Sequence, residues 1–193
     1  MPKKSTHNTK ERIIDAAWKL FYDQGYEETT IEDIITLSQT SRGSFYHYFP
    51  SKDSLLGALS YVFDEKYKEL HKQLDHFSSA LDKLLFLNHE LFLMIEDGIS
   101  RDLLTGLLST QLIATGEKSL LERDRYYFRL LRQIAQEGIR NGEFKKEFSS
   151  DQITKAFALW ERALMYDWCL CEGEYSLTEY SDKMTPLFLQ AFK

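Results

Sequence analysis

Apolar side chains return every three or four residues along nearly all of this 193-residue chain. That spacing gathers them onto one stripe of a helix, not one face of a strand. Ile13, Ile14, Ala17, Leu20 and Phe21 open the series, and Gly25 closes it. Thr29 with Glu32 three residues on reads as a capping box, opening a second helix around Ile31, Ile34 and Ile35. After the polar turn "SQTS", Ser41 caps a brief third helix that must stop before Pro50. Ser51 then caps a long fourth helix carrying Leu55, Leu59, Phe63, Tyr67, Leu70 and Leu74. Further helices are predicted over 80–95, 103–113 and 120–139, then from Ser150 or Asp151 through Trp168, and over 177–192. No stretch alternates as a strand does, so the fold class is all-α.

Composition narrows the function. The two cysteines, Cys169 and Cys171, sit two apart on a predicted helix and project in different directions, which excludes a disulfide framework. A reducing, cytoplasmic (nucleoid-associated) setting is the expectation. No apolar run reaches the roughly 20 residues of a membrane span, and the basic start "MPKKSTHNTKER" leads into a charged amphipathic helix, unlike a secretory signal. His7, His47, His71, His76 and His89 all lack a Glu three residues before them. The paired Glu-x-x-His of a di-iron bundle is therefore missing, as are a P-loop, a dinucleotide turn and HExxH. The chain is expected to hold no catalytic residues, metal or cofactor. Cys169 and Cys171 leave a redox- or metal-responsive regulator as the alternative reading, with an all-helical enzyme behind it.

The net charge of −6 argues against nucleic acid until its distribution is examined. Residues 1–52 hold seven Lys/Arg and seven Asp/Glu, so the acidic excess lies entirely beyond them (24 − 7 = 17 basic, 30 − 7 = 23 acidic). In the neutral part, Lys3, Lys4, Lys10 and Arg12 come early, Arg42 and Lys52 late, and acids such as Glu27, Glu28, Glu32 and Asp33 mostly between. The stretch "SRGSFYHYFPSKDSLL" sits at the second cluster. At about 100° per residue, Phe45 and Phe49 share a face that closes a small core with Ile13, Ala17, Phe21, Ile31 and Ile34. Arg42, Tyr46 and either His47 or Tyr48 lie largely elsewhere, and polar-tipped rings are poor core fillers without hydrogen-bond partners. Turned outward, they form a donor set that grips phosphates and touches base edges; turned inward, they would be a core plug. The small Ser41, Gly43 and Ser44 leave room for a phosphate beside backbone amides.

The N-terminal third resembles the TetR family of bacterial transcriptional regulators. The likeness runs through "RIIDAAWKLFYDQGYEETTIEDI" and "SRGSFYHYFPSKDSLL", with Phe21, Gly25, Tyr26, Thr29, Thr30, Gly43, Tyr46, Tyr48, Phe49 and Lys52 in register. It implies a three-helix helix-turn-helix DNA-binding domain over residues 1–52. A connecting helix would join this to a helical effector-binding and dimerisation bundle over 53–193. Thr30, Arg42, Gly43, Ser44, Tyr46, His47, Tyr48 and Lys52 are the DNA-facing residues it implies. Ser38-Gln39-Thr40 departs from the Ala-Gly-Val common in the family's turn, which calls for a left-handed Gln39 or an altered turn.

The resemblance also implies a homodimer on a palindromic double-stranded operator, repression, and release by a small, largely apolar or aromatic effector of unknown identity. Candidate effector residues are polar or aromatic groups on otherwise apolar faces: Asn88, His89, Phe92, Gln111, Tyr126, Trp160, Tyr166 and Trp168. Candidate dimer residues are Ile153, Phe157 and Leu164 on one late helix and Met184, Leu187, Phe188 and Ala191 on the next, unless these stripes are intrachain core.

Overall fold

A computed structural model describes residues 8–113 and 118–193, apart from the Leu59 side chain. Lys3, Lys4 and His7 lie outside the described residues. The α-helices are α1 (Thr9–Gln24), α2 (Ile31–Ser38), α3 (Arg42–Tyr48), α4 (Leu59–His71), α5 (Ala80–Gly98), α6 (Arg101–Ile113), α7 (Tyr126–Asn141), α8 (Ser150–Leu170) and α9 (Leu177–Leu189). The fold is all-α, with no strand among the described residues. No described helix is long and apolar enough to cross a membrane. The chain divides into two compact units, Met1–Leu59 with Asp102–Ser119, and Ser60–Arg101 with Leu120–Lys193.

In the first unit α1 packs on α2 and α3, which also touch each other. Ile13, Ala17, Phe21, Ile34, Phe45, Phe49, Leu55 and Leu56 are buried there. Asn8 and Glu11 form a reciprocal capping box at the start of α1. The box opening α2 is Thr30 with Asp33, one residue later than the predicted Thr29 with Glu32. Thr29 is instead buried, its hydroxyl donating to the Gly25 carbonyl at 2.7 Å. Gly25 has φ of 90°, where a side chain would be strained. The predicted long helix after Ser51 opens as a 3₁₀ segment, Asp53–Ala58, before α4 begins. Gly106 of α6 lies close enough to Leu56 that an added Cβ would stand 3.3 Å from its Cδ1.

In the second unit α5 packs on α7 and α9, and α8 packs on the same two, closing a ring of four helices. Carboxylates from distant parts of the chain fasten three helix starts. Asp64 of α4 accepts from the backbone N–H of Tyr126 and Tyr127, each at 3.2 Å, and pairs with Arg125 at 2.9 Å. Glu143 does the same for Ala80 and Leu81 at the head of α5, at 3.1 and 3.2 Å. Glu96 accepts from Leu177 at 2.7 Å and Thr178 at 2.9 Å at the head of α9. Burial alone would raise the Glu96 pKa, but hydrogen bonds from Thr178, Leu177 and Ser176 outweigh it and hold the carboxyl below its ordinary value. Each satisfies amides that a helix cannot pair internally and meets the positive end of its dipole.

Two predicted boundaries shift. The helix predicted over 120–139 starts at Tyr126, where Asp64 supplies the cap, and Ser119–Leu121 is a 3₁₀ turn. Ser149 caps α8 through a box with Gln152, in place of Ser150 or Asp151. Gly142, with φ of 78°, ends α7. Gly138, one turn earlier, is fixed by packing: an added Cβ would fall 2.3 Å from the Phe144 ring and 2.9 Å from the Ala80 Cβ. Gly138→Ala is therefore expected to destabilise by about 1–3 kcal/mol through overpacking. The check is a thermal or denaturant melt; in an ordinary exposed helix position the same change would stabilise by up to about 1 kcal/mol.

Candidate nucleic-acid interface and a polar bundle interior

Seven residues of α3 face two ways. Phe45 is wholly buried and Phe49, its C-cap, is 4% exposed, whereas Tyr46 and Tyr48 are 48% and 37% exposed. Arg42, Gly43 and His47 are exposed too, and Ser44 is half-buried. Ser41 caps the helix, its hydroxyl accepting from the Ser44 N–H at 3.0 Å. The outward face is thus two phenols, an imidazole and a guanidinium over an apolar anchor. Arg42 forms an ion pair with Glu32 of α2, both largely exposed, so water or a phosphate can compete for either partner.

The turn into α3 is secured without the usual glycine. Gln39 adopts a left-handed conformation, φ 51° and ψ 45°, and its N–H reaches back to the Ile35 and Thr36 carbonyls. Thr40 N–H donates to Ile35 at 3.1 Å. Arg12 of α1 completes the turn, its guanidinium donating to the Ser38 carbonyl and, at 2.8 Å, to that of Gln39. Arg12, one of the early cations, acts as a clamp here.

Lys52 differs most from expectation. Its ammonium donates to the carbonyls of Tyr26 at 2.7 Å, Thr29 at 3.1 Å and Glu27 at 3.3 Å, and lies 4.2 Å from the centre of the Tyr26 ring. Neighbouring Asp53 accepts from the Tyr26 hydroxyl. Lys52 therefore holds the α1–α2 loop. Thr30, likewise, is exposed, but its hydroxyl is committed to Asp33 as the cap of α2.

Within the bundle the ring of helices surrounds a polar network. Glu161 of α8 is 2% exposed and has no cation among its hydrogen-bond partners. Its carboxyl accepts from Asn88 of α5 at 3.1 Å and from the Tyr127 hydroxyl of α7. Asn88 accepts in turn from Ser181 and, at 3.0 Å, from Thr185 of α9, which also accepts from the Trp160 indole at 2.9 Å. All four helices meet in this one network. Desolvation raises the Glu161 pKa to about 7, although Tyr127, Asn88 and the nearby Arg162 favour the charged form. Beside it a cavity of about 30 Å³ touches Tyr67, whose buried hydroxyl has no partner.

The candidate effector residues do not converge. Asn88 and Trp160 join the network, and Phe92 is core. His89 faces Asp182 at 3.0 Å near the surface. Tyr126 contacts His71, Trp168 donates to the Tyr175 carbonyl at 2.9 Å, and Tyr166 is exposed. Gln111 belongs to the other unit. None lines the cavity beside Glu161, nor a larger cleft on the α7–α8 face. Glu161, Tyr127 and Tyr67 were missed. Glu161 carries a readable signal, since it falls four residues after Phe157 and three before Leu164 on the apolar stripe of α8.

Ile153, Phe157 and Leu164 are buried within the chain, so they correct to intrachain core. Met184 and Phe188 are half-buried; Leu187 and Ala191 are exposed. The outer face of α8 carries a different stripe, Leu159, Ala163, Tyr166 and Leu170. Cys169 and Cys171 form no disulfide among the described residues, and both are half-buried. Burial, followed by Asp167 and Glu174, pushes the Cys171 pKa up, away from a reactive thiolate. Among the described residues no cluster of three His, Cys, Asp or Glu side chains is placed to hold a metal.

Two short helices joined by a clamped turn, the second with an outward polar face, define a helix-turn-helix domain. Residues 13–59, about a quarter of the chain, match the model for bacterial regulatory proteins of the tetR family. It is similar to YuxN of Bacillus subtilis, an uncharacterized transcriptional regulator, at 36% identity over 100 residues (50% of this chain, 34% of that protein). It is also similar to the transcriptional regulator QacR of Staphylococcus aureus, at 33% over 66 residues (34% of this chain, 35% of that protein). The matches thus span only about a third of these relatives' length. Among solved structures, FadR of Thermus thermophilus in complex with lauroyl-CoA shares the fold, with a TM-score of 0.73 and 23% identity over 93% of each chain.

Glu161 yields a pH prediction. A carboxyl raised from 4.5 to about 7 favours folding in its protonated form. Its contribution is complete below the unfolded pKa and is lost as pH rises through about 7. Melts of Glu161→Gln between pH 5 and 8 should show a flatter pH dependence than the parent and a higher Tm at pH 8.

Proposed function

We propose that this chain is a transcriptional regulator that binds a palindromic operator as a homodimer and represses until a small molecule enters the second unit. The observation that carries this reading is the exposure of Tyr46, His47 and Tyr48 on a helix anchored by buried Phe45 and Phe49. Such a helix, entering the major groove, offers Arg42, Gly43, Ser44, Tyr46, His47 and Tyr48 to phosphates and base edges. Thr30 and Lys52 support it from behind, one capping α2 and the other holding the loop.

One head reads too few base pairs to single out a site, so two heads on a two-fold axis supply the discrimination. The exposed stripe of α8, with Leu170 72% exposed, and Leu187 of α9, 64% exposed, support a pairing face. Residues 1–52 form the reading domain in this proposal and 53–193 the effector and dimer domain. FadR with lauroyl-CoA and RolR with resorcinol share the fold, with TM-scores of 0.73 and 0.65, which supports an effector for this chain. Nothing in the reading requires catalysis or a cofactor.

Selection of bound duplexes from a random pool tests it, and a two-fold symmetric consensus is the expected result. On that duplex Tyr46→Ala or His47→Ala should lose about 1–3 kcal/mol and relax base preference with an unchanged melt. Lys52→Ala should lower the melting temperature as well as the affinity, because three carbonyls lose their donor. Asymmetric or indiscriminate selection would overturn the proposal. Sedimentation supplies a separate check: Leu170→Glu with Leu187→Glu should give a monomer with operator affinity reduced at least tenfold.

A further inference from the structure

A cleft of about 410 Å³ lies on the α7–α8 face of the second unit. Its lining is unlike the rest of the chain. Arg123, Arg132, Lys155 and Arg162 face Asp151 alone, four cations to one acid, in a protein with 24 basic and 30 acidic residues. Arg132 pairs with Asp151 at 2.6 Å and Arg162 lies near the Glu161 carboxyl, while Arg123 and Lys155 form no ion pair among the described residues. The floor is apolar, formed by Leu121, Phe128 and Ala158. The Thr154 hydroxyl, on a residue 3% exposed, also lines the cleft and has no hydrogen-bond partner.

Each feature selects something. An excess of guanidinium and ammonium groups around a partly enclosed cleft favours an oxyanion, and Arg in particular favours carboxylate or phosphate oxygens. An unpartnered buried hydroxyl is costly, and an anionic oxygen satisfies it. A floor of Leu, Phe and Ala returns free energy only to an apolar body. The volume falls within the range of small-molecule sites. The neighbouring cavity beside Glu161 shares Ala158 and Arg162 with this cleft but, at about 30 Å³, holds no more than a water.

We infer that the α7–α8 cleft binds an amphiphilic anion, a carboxylate or phosphate head on Arg123, Lys155, Arg162 and Thr154 with its apolar chain on Leu121, Phe128 and Ala158. The inference rests on the effector-responsive reading proposed above and gives that effector a charge as well as an apolar body.

The test uses the full chain with four probes of equal chain length, below their micelle concentrations: dodecanoate, dodecyl phosphate, dodecyltrimethylammonium and dodecanol. Calorimetry should show one or both anions binding at least tenfold more tightly than the cation and the alcohol. A tighter carboxylate points to a free acyl acid, and a tighter phosphate to a phosphorylated ester or carrier. Lys155→Gln with Arg162→Gln should weaken anion binding at least tenfold and leave dodecanol unchanged. Lys155→Gln alone, at an exposed position, should weaken anions severalfold without altering the melt. Equal binding of both charge signs, no binding, or anion binding indifferent to these variants would overturn the inference. Adding the bound anion to the operator complex separates the two readings. Tight anion binding without DNA release removes the effector role and leaves the site standing. DNA binding with no anion affinity removes the site and leaves the reading head standing.

Discussion

The pitch of one seven-residue helix governs the first unit. At about 100° per residue, α3 cannot bury Phe45 and Phe49 without turning Tyr46, His47 and Tyr48 outward. The anchors fix rotation about the helix axis, but they do not fix where the helix sits. That falls to two long cations reaching across the unit to backbone carbonyls, Arg12 at the turn before α3 and Lys52 at the loop between α1 and α2. A charge-assisted hydrogen bond to a carbonyl is stronger than a neutral one. It therefore holds a left-handed Gln39 that a glycine would adopt at less cost. The outward face of α3 is thus held in place by contacts that lie away from the face itself.

Those clamps mark the limit of what local pattern conveys. Periodicity located every helix, and the face of α3 followed from spacing, because both depend on neighbours three and four residues apart. The roles of Arg12 and Lys52 depend on carbonyls 23 to 27 residues distant, about which composition is silent. The shift from Thr29 to Thr30 as the cap is similar. Two adjacent threonines offered the same chemistry, and the deciding factor was the Gly25 turn, which claimed the first. On α8 the apolar stripe was legible but its direction was not. Ile153, Phe157 and Leu164 face inward with Glu161, while Leu159, Ala163, Tyr166 and Leu170 face out, so one helix carries two apolar faces and periodicity alone does not rank them.

Glu161 shows what the bundle gains from a residue that costs stability. A carboxyl in a core is expensive unless every lone pair is met, and a hydrophobic isostere is often no worse. Its virtue is specificity. Asn88, Tyr127, Ser181, Thr185 and Trp160 are matched donor to acceptor across four helices, and sliding any one helix by a turn would orphan several of them. The carboxylates at the heads of α5, α7 and α9 work the same way from outside, pinning axial position where apolar packing tolerates slippage. The bundle is thus held in one register by polar groups and given its bulk stability by apolar ones.

The charge pattern ties the units to a mode of recognition. Residues 1–52 carry seven cations and seven acids, and two of the cations, Arg12 and Lys52, are engaged with carbonyls, while Arg42 faces Glu32. Such a head neutralises few phosphates, so counterion release adds little to affinity and little to its salt dependence. The acidic excess beyond residue 52 repels the duplex further. In the proposed homodimer, affinity would come from base-edge contacts and from the doubling that a two-fold axis provides, both of which fall off steeply on the wrong sequence or the wrong spacing. A weakly attracted, strongly selective reader of the proposed kind would also be easily dislodged, because a modest change in the distance between two heads would remove one of its two sources of binding.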